Sequence, residues 1–262
     1  MNYTLITGAS RGIGEALAIQ CAMRKFNLIL IARSKEKLDE IAYKLSEKYG
    51  VDVKIYVADL IDPGVPVHIA KWCTDNNYRV NMLINNVGIG LYGKFEELPL
   101  SEQLNVIHLN QITTVSMTYQ FLPLLKKNSE SYIMNVASTA CYQPIPYMSV
   151  YAASQSFIQS FSLALREELK SANIHVSSLN PGPTSTDFFD RAGLESMAVN
   201  SSEVKMSAED VAEIAIERLL DDNSEIIPGT NNTLGAYFSK LFPNKLIVKT
   251  VSGLFAPKAV SK

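Results

Sequence analysis

An alternation along the chain limits its possible folds more than any other feature. Short runs rich in β-branched and other apolar residues recur at about residues 2–7, 27–32, 52–57, 80–85, 131–136, 174–179 and 224–228. Between them lie stretches of helical periodicity at about 12–25, 34–49, 63–77, 101–127, 149–172 and 207–221. Runs such as Asn27-Leu28-Ile29-Leu30-Ile31-Ala32 are continuously apolar, with no polar residue at every second position. A strand of that kind has both faces buried. Strand–helix–strand repetition aligns such strands in parallel with right-handed crossovers. The predicted fold is therefore α/β: a single doubly wound domain, its parallel seven-stranded sheet flanked by helices, with no linker or repeat dividing it. Two segments leave the rhythm. Residues 183–206 are a Ser/Thr-rich connection too long for an ordinary strand-to-helix loop, and so a candidate lid. Residues 233–262 are a basic, apolar, helical appendix, which divides the chain at 1–232 and 233–262.

Composition then removes function classes. With 47% hydrophobic residues and a net charge of −2, global disorder and nucleic acid as the main partner are both disfavoured. Cys21, Cys73 and Cys141 are odd in number and far apart, so neither a disulfide framework nor a zinc spacing is visible. His68, His108 and His175 are equally scattered, and no metal site is expected. No apolar stretch reaches about 18 residues, and nothing leader-like precedes Tyr3-Thr4-Leu5. A cytoplasmic protein is the expectation. The charge is uneven, however: after Glu225 there are no acids, while Lys240, Lys245, Lys249, Lys258 and Lys262 follow.

The first run leads into Thr7-Gly8-Ala9-Ser10-Arg11-Gly12-Ile13-Gly14 and then a helical stretch. Glycines at such a turn let the backbone approach a pyrophosphate and pack the new helix against the sheet. The helix N-terminus adds unpaired N–H groups and a partial positive charge. The spacing is G-x-x-x-G-x-G, and a turn that merely opens a helix looks similar; its place after an N-terminal strand favours a dinucleotide. An NAD site carries an acid at the end of the second strand. Here that run ends Ala32-Arg33-Ser34-Lys35, and the first acid, Glu36, is already in the helix. Arg33 and Arg11 suit a 2′-phosphate, so NADP is the expected cofactor, with NADPH preferred over NADH. Two solvated surface arginines are the plain alternative.

Further motifs follow in order: Asp59-Leu60, Asn85-Asn86-Val87-Gly88, Asn110, Ser138, Tyr151 and Pro181-Gly182. Together with the glycine turn, this set resembles the short-chain dehydrogenase/reductase family over residues 2 to about 228. Gln143-Pro144-Ile145-Pro146-Tyr147 resembles general carbonyl and 3-oxoacyl reductase members. Val87 is similar to the residue in some membrane-associated 3-oxoacyl-CoA reductases and hydroxysteroid dehydrogenases. The resemblance implies a Rossmann-type fold and hydride transfer between a nicotinamide and a carbonyl or secondary alcohol. It implies that Tyr151 delivers the proton, Ser138 polarises the carbonyl, and Asn110 holds a water of the proton path. Gly8, Ser10, Arg11, Gly12, Ile13 and Gly14 would cradle the phosphates with Arg33; Asp59 and Leu60 would bound the adenine. Asn86 and Gly88 would line the ribose, and Pro181, Gly182, Thr184 and Thr186 the carboxamide and pyrophosphate. Ile89, Leu91, Tyr92, Thr139, Ala140, Cys141, Tyr142, Tyr147 and the lid would wall a pocket for a small hydrophobic carbonyl substrate.

The pattern breaks at position 155. The family reads Tyr-x-x-x-Lys, and this chain reads Tyr151-Ala152-Ala153-Ser154-Gln155. Residues four apart share a helix face, so Gln155 can still donate an amide N–H to a ribose hydroxyl beside Tyr151. It supplies no charge to lower the tyrosine pKa, which is then expected near its ordinary value of about 10. Arg166, 11 residues on, lies about 16 Å down the helix. A slow or specialised enzyme, a non-catalytic NADP-binding module with a regulatory or assembly role, and an engineered change all remain open. The resemblance also implies a homodimer or homotetramer packed through helices at about 101–127 and 149–172. Phe157, Ile158, Phe161 and Leu165 could serve that interface, though their spacing equally describes core. The appendix could cover the substrate mouth, pack on a partner, meet a membrane surface or acyl carrier, or stay unstructured.

Overall fold

The structure, a computed structural model, describes residues 1–194 and 205–256 of the chain. Its main strands are β1 (Asn2–Thr7), β2 (Asn27–Ala32), β3 (Val53–Val57), β4 (Arg79–Asn85), β5 (Ser131–Val136), β6 (Ile174–Leu179) and β9 (Glu225–Ile226). These seven form one parallel sheet in the order β3-β2-β1-β4-β5-β6-β9. The helices α1 (Gly12–Met23), α2 (Lys35–Tyr49), α3 (Val65–Asp75), α4 (Leu100–Ile107), α5 (Thr113–Leu125), α6 (Ser149–Leu169) and α8 (Ala208–Leu220) cover both faces. The continuous apolar runs have a simple cause. Leu28 and Leu30 pack into the cluster shared with α1, α2 and α8, while Ile29 and Ile31 pack into the cluster under α3, α5 and α6. All four are fully buried, each stabilising the fold by about 1.5–3 kcal/mol.

The chain changes direction across the sheet between β1 and β4, and a crevice opens at the carboxyl ends of those neighbouring strands. A buried polar ladder ties the strands below it. Asn85 donates to Thr118 and Asn135, and Asn135 donates to Ser162 on α6.

One expectation changes and two gain detail. The helix over 101–127 is broken: α4 and α5 flank a π-helical turn at His108–Ile112. One extra residue in a turn leaves the apolar period almost intact, so the sequence pattern does not register it. The candidate lid holds a short parallel pair, β7 (Thr184–Ser185) with β8 (Met206–Ser207), and a short helix, α7 (Phe188–Arg191); its stretch 195–204 lies outside the described residues. The appendix forms α9 (Thr230–Leu241) and α10 (Asn244–Phe255), and residues 257–262 also lie outside. Among the described residues no helix is long and apolar enough to cross a membrane. No group of three His, Cys, Asp or Glu side chains there could hold a metal ion.

Candidate active site

The turn between β1 and α1 is tightly determined. Gly8 takes φ +66°, a left-handed conformation that favours glycine. At Gly14 the constraint is space: a Cβ there would lie 2.2 Å from the Gly8 carbonyl oxygen and 2.5 Å from Asn86 Nδ2. Asn86 pins the turn from β4, donating to the carbonyls of Thr7 at 2.9 Å and Gly8 at 3.3 Å. The first turn of α1 has no side-chain cap, whereas α2 and α8 are capped by Ser34 and Ser207. Gly12, Ile13 and Gly14 of that turn line the crevice.

One continuous cleft of about 510 Å³ runs from this turn to Tyr151. Every catalytic and cofactor-binding residue expected from the sequence lines it: Gly8, Ser10, Arg11, Gly12, Ile13, Gly14, Arg33, Asp59, Leu60, Asn86, Gly88, Asn110, Ser138, Tyr151, Gln155, Pro181, Gly182, Thr184 and Thr186. The two arginines are paired. Arg33 reaches Asp59 at 3.5 Å, and Arg11 spans the cleft to Asp187 of the lid at 2.7 Å. Asp187 also meets Arg191 at 3.3 Å, a lid contact that only the fold reveals.

Tyr151, Ser138, Asn110 and Gln155 converge at the other end. The Ser138 hydroxyl lies near enough to the Tyr151 phenol to lower its pKa, accepts from the Ala140 N–H at 3.1 Å, and lies 3.5 Å from the Pro181 carbonyl. The last distance is the long limit of a hydrogen bond, so that proton is weakly held. Asn110, placed by the π turn, is a clamp. Its Oδ1 accepts from Ile89 N–H at 2.9 Å, and its Nδ2 donates to Ile89 O and Ser154 Oγ at 3.0 Å each. Both amide protons are therefore used; the second Oδ1 lone pair and the backbone carbonyl, already bonded by Thr114, are what it could offer a water. Gln155 is buried and donates to Ser154 Oγ at 3.2 Å.

The expectation of a phenol near its ordinary value is corrected. Burial pushes the Tyr151 pKa up to about 12, with Ser138 offsetting part of the rise and Cys141 adding to it. No cation contributes. Arg166 turns to Asp222 at 2.8 Å and to the Val176 carbonyl at 3.0 Å. Among the described residues lining the cleft, the cations are Arg11, Arg33 and Arg191, and none of them acts on Tyr151.

The substrate end differs from expectation in detail. Ile89, Thr139 and Ala140 do line the cleft. Cys141 and Tyr142 instead face a separate cavity, because the Tyr142 hydroxyl is drawn to Glu225 at 2.9 Å and accepts from Asn180 at 2.6 Å. Leu91, Tyr92 and Tyr147 stand behind the wall; Tyr92 packs on Tyr147 and donates to the Phe255 carbonyl at 2.8 Å. The apolar wall is made by Ile145 of the Gln143–Tyr147 motif, by Phe188 and Leu194 of the expected lid, and by Met148, which no motif marks. Leu254 and Phe255 of α10 close the mouth. Their signal is the apolar periodicity of the appendix, which says that a face is buried but not against what. Of the residues offered for an interface, Ile158 and Leu165 are core, whereas Phe157 is exposed and stacks on Phe161.

A family model described as short chain dehydrogenase matches residues 2–196. The very-long-chain 3-oxoacyl-CoA reductase of Anas platyrhynchos is 36% identical over 183 residues, covering 68% of this chain and 58% of that protein. The 17-beta-hydroxysteroid dehydrogenase type 3 of Homo sapiens is 34% identical over 187 residues, covering 70% and 59%. The chain thus spans under 60% of the length of these relatives. Among solved structures, a short-chain dehydrogenase from Sphingobium yanoikuyae in complex with NADPH aligns with TM-score 0.82 and 27% identity, over 100% of this chain and 99% of that one.

Proposed function

The chain belongs to the short-chain dehydrogenase family, and we propose that it is an NADP(H)-dependent oxidoreductase interconverting a hydrophobic ketone and a secondary alcohol, slowed by Gln155 in place of the family lysine. The observation that carries this reading is the Ser138–Tyr151 hydroxyl pair at one end of the cleft whose other end is the Gly8–Gly14 cradle. The cradle fits a dinucleotide: glycine at positions 8 and 14 lets the turn close tightly on itself so that its backbone lines the cleft, and the uncapped first turn of α1 offers N–H groups to phosphate. Arg11 and Arg33 would exchange their carboxylate partners for the 2′-phosphate, which supports NADP over NAD. When bound, the nicotinamide supplies or accepts the hydride.

The chain's own residues handle the oxygen and the proton. A carbonyl oxygen beside Tyr151 and Ser138 takes a hydrogen bond from the weakly held Ser138 proton and the proton itself from the phenol. Gln155 can orient a ribose hydroxyl but adds no charge, so the buried phenol is a weak acid. Phe188, Ile145, Met148 and Phe255 exclude water and favour an apolar substrate such as a 3-oxoacyl thioester or a steroid ketone. Exposed Leu104, Ile112, Tyr119 and Phe157 on α4, the π turn, α5 and α6 support a homo-oligomer contact.

The test is NADPH consumption with both substrate types, for the native chain and for Tyr151→Phe. Slow turnover that falls at least about 10²-fold on losing the phenol is expected. The neutral amide of Gln155 supports a second reading, a non-catalytic NADP-binding module. Tight NADPH binding without turnover, in the native chain and in Gln155→Lys alike, would establish that reading in place of the first.

A further inference from the structure

Helix α9 is inside out. Its inward face is small and polar: Ala236 and Ser239 are buried, and Asn232 donates to the Pro228 carbonyl at 2.7 Å. Its outward face carries Leu234, Phe238 and Leu241, spaced at four and three residues and 58%, 51% and 76% exposed. The stripe runs on through Phe242, which stacks on Phe238 at 6.1 Å, to the exposed Leu246 of α10. A soluble helix normally presents the opposite arrangement, and a contiguous apolar surface of this kind marks an interaction site.

Charge selects the occupant. From Ile226 to the end the chain contains no Asp or Glu and five Lys. Lys245 and Lys249, both exposed, sit one helical turn apart on α10 and flank Leu246. In a twofold contact between two copies, the same acid-free patch would face itself, setting lysine against lysine with no acid in this segment to pair them. A bilayer with anionic headgroups satisfies both features. Leucine and phenylalanine side chains enter the acyl boundary, and the lysines extend to the phosphates.

The opposite face of α10 adds a reason. Ile247 and Val251 are buried in the cluster around Tyr151, and Leu254, 58% exposed, belongs both to the outer surface and to the lining of the cleft. The apolar patch and the apolar mouth are carried by one helix.

We propose that the outer face of α9 and α10 docks this protein on an anionic lipid bilayer. Docking is read by binding and not by turnover, so it stands or falls separately from the proposed activity. The experiment floats the full chain with phosphatidylcholine vesicles, with and without roughly one third phosphatidylserine. Binding to the anionic vesicles alone is expected, weakened at roughly 0.5 M salt by screening. Phe238→Ser with Leu241→Ser should reduce it at least ~10-fold, and so should Lys245→Glu with Lys249→Glu. Thermal melting checks that each variant is folded, and either pair suffices if the other is not. No binding to anionic vesicles at low salt, equal binding to neutral ones, or binding indifferent to a folded variant pair would overturn the proposal. So would a native dimer that Phe238→Ser with Leu241→Ser converts to monomer in sedimentation, since a second copy would then own the face.

Discussion

At the Gly8–Gly14 end of the cleft the geometry is made by backbone. A left-handed glycine, an absent Cβ and two carbonyls held by Asn86 leave room for one arrangement. At the Tyr151 end it is made by side chains: two hydroxyls, a clamping asparagine and a neutral glutamine. The first end is intolerant of added atoms and little affected by charge. The second is closely packed, and no cation acts on its buried phenol. Shape and electrostatics have been separated along one cleft, so each can be perturbed without the other.

Restoring the charge at the second end should have the greatest consequence. Gln155→Lys should raise turnover roughly 10²–10⁴-fold, while NADPH affinity changes far less because a ribose hydrogen bond survives in both proteins. Equal rates would undo the contrast by showing that another group does the work of the lysine. The pH profile gives a finer reading. Tyr151 must be protonated to give a proton to a carbonyl and ionised to take one from an alcohol. With a pKa of about 12, ketone reduction should be flat between about pH 6 and 9, and alcohol oxidation should rise about tenfold per pH unit across that range. In the lysine variant the oxidation profile should level off at lower pH, as read by initial rates in both directions.

Next comes the backbone end. Gly14→Ala sets a Cβ against the Gly8 carbonyl at 2.2 Å, where no flexible side chain can yield. A stability loss of about 1–3 kcal/mol is expected, together with NADPH binding weakened at least ~10-fold, worth about 1.4 kcal/mol. Melting and calorimetric titration measure the two; unchanged affinity would show that the cradle is not where the phosphates sit. Arg33→Asp tests charge at this same end. The native chain should bind NADPH at least ~10-fold more tightly than NADH, and the variant should reverse the order. Equal affinities in the native protein would sink that reading.

A minor effect is expected at the amino ends of the strands, away from both. Asp222 accepts from Arg166 at 2.8 Å and from His175 Nδ1 at 2.6 Å. These partners lower its carboxyl pKa despite an opposing contribution from burial. The stabilisation is present above the ordinary aspartate value and disappears as pH falls through the lower folded value. Asp222 is 46% exposed, so Asp222→Asn should cost under about 1 kcal/mol at pH 7 and nothing in strong acid. Denaturation curves across pH check this, and turnover should not change.

Gly8, Gly14, Asn86, Ser138 and Tyr151 are legible in the amino-acid sequence because each is needed for what its own backbone or functional group does locally. Asn110 is legible as a residue and not as a clamp, since the π turn that aims it leaves no mark on the apolar period. Gln155 is legible as a missing charge, but the rise of the Tyr151 pKa is not: it comes from walls supplied by α10, the lid and the stretch from Ala140 to Met148, brought together by folding. Cys141 and Tyr142 belong to a different cavity from the one expected for a related reason. A hydrogen bond to Glu225, far along the chain, decides which way the Tyr142 side chain turns.

The order of strands and helices, the parallel sheet and the nature of the first turn follow from local pattern, because periodicity and glycine content act over a few neighbouring residues. Which side chains share a wall, how deeply the phenol is buried and which face of α9 meets solvent are set by folding in three dimensions. Those are matters of contact between distant segments, as in Arg11 with Asp187 or Tyr92 with Phe255. Desolvation and pairing exist only once the intervening chain has folded around them.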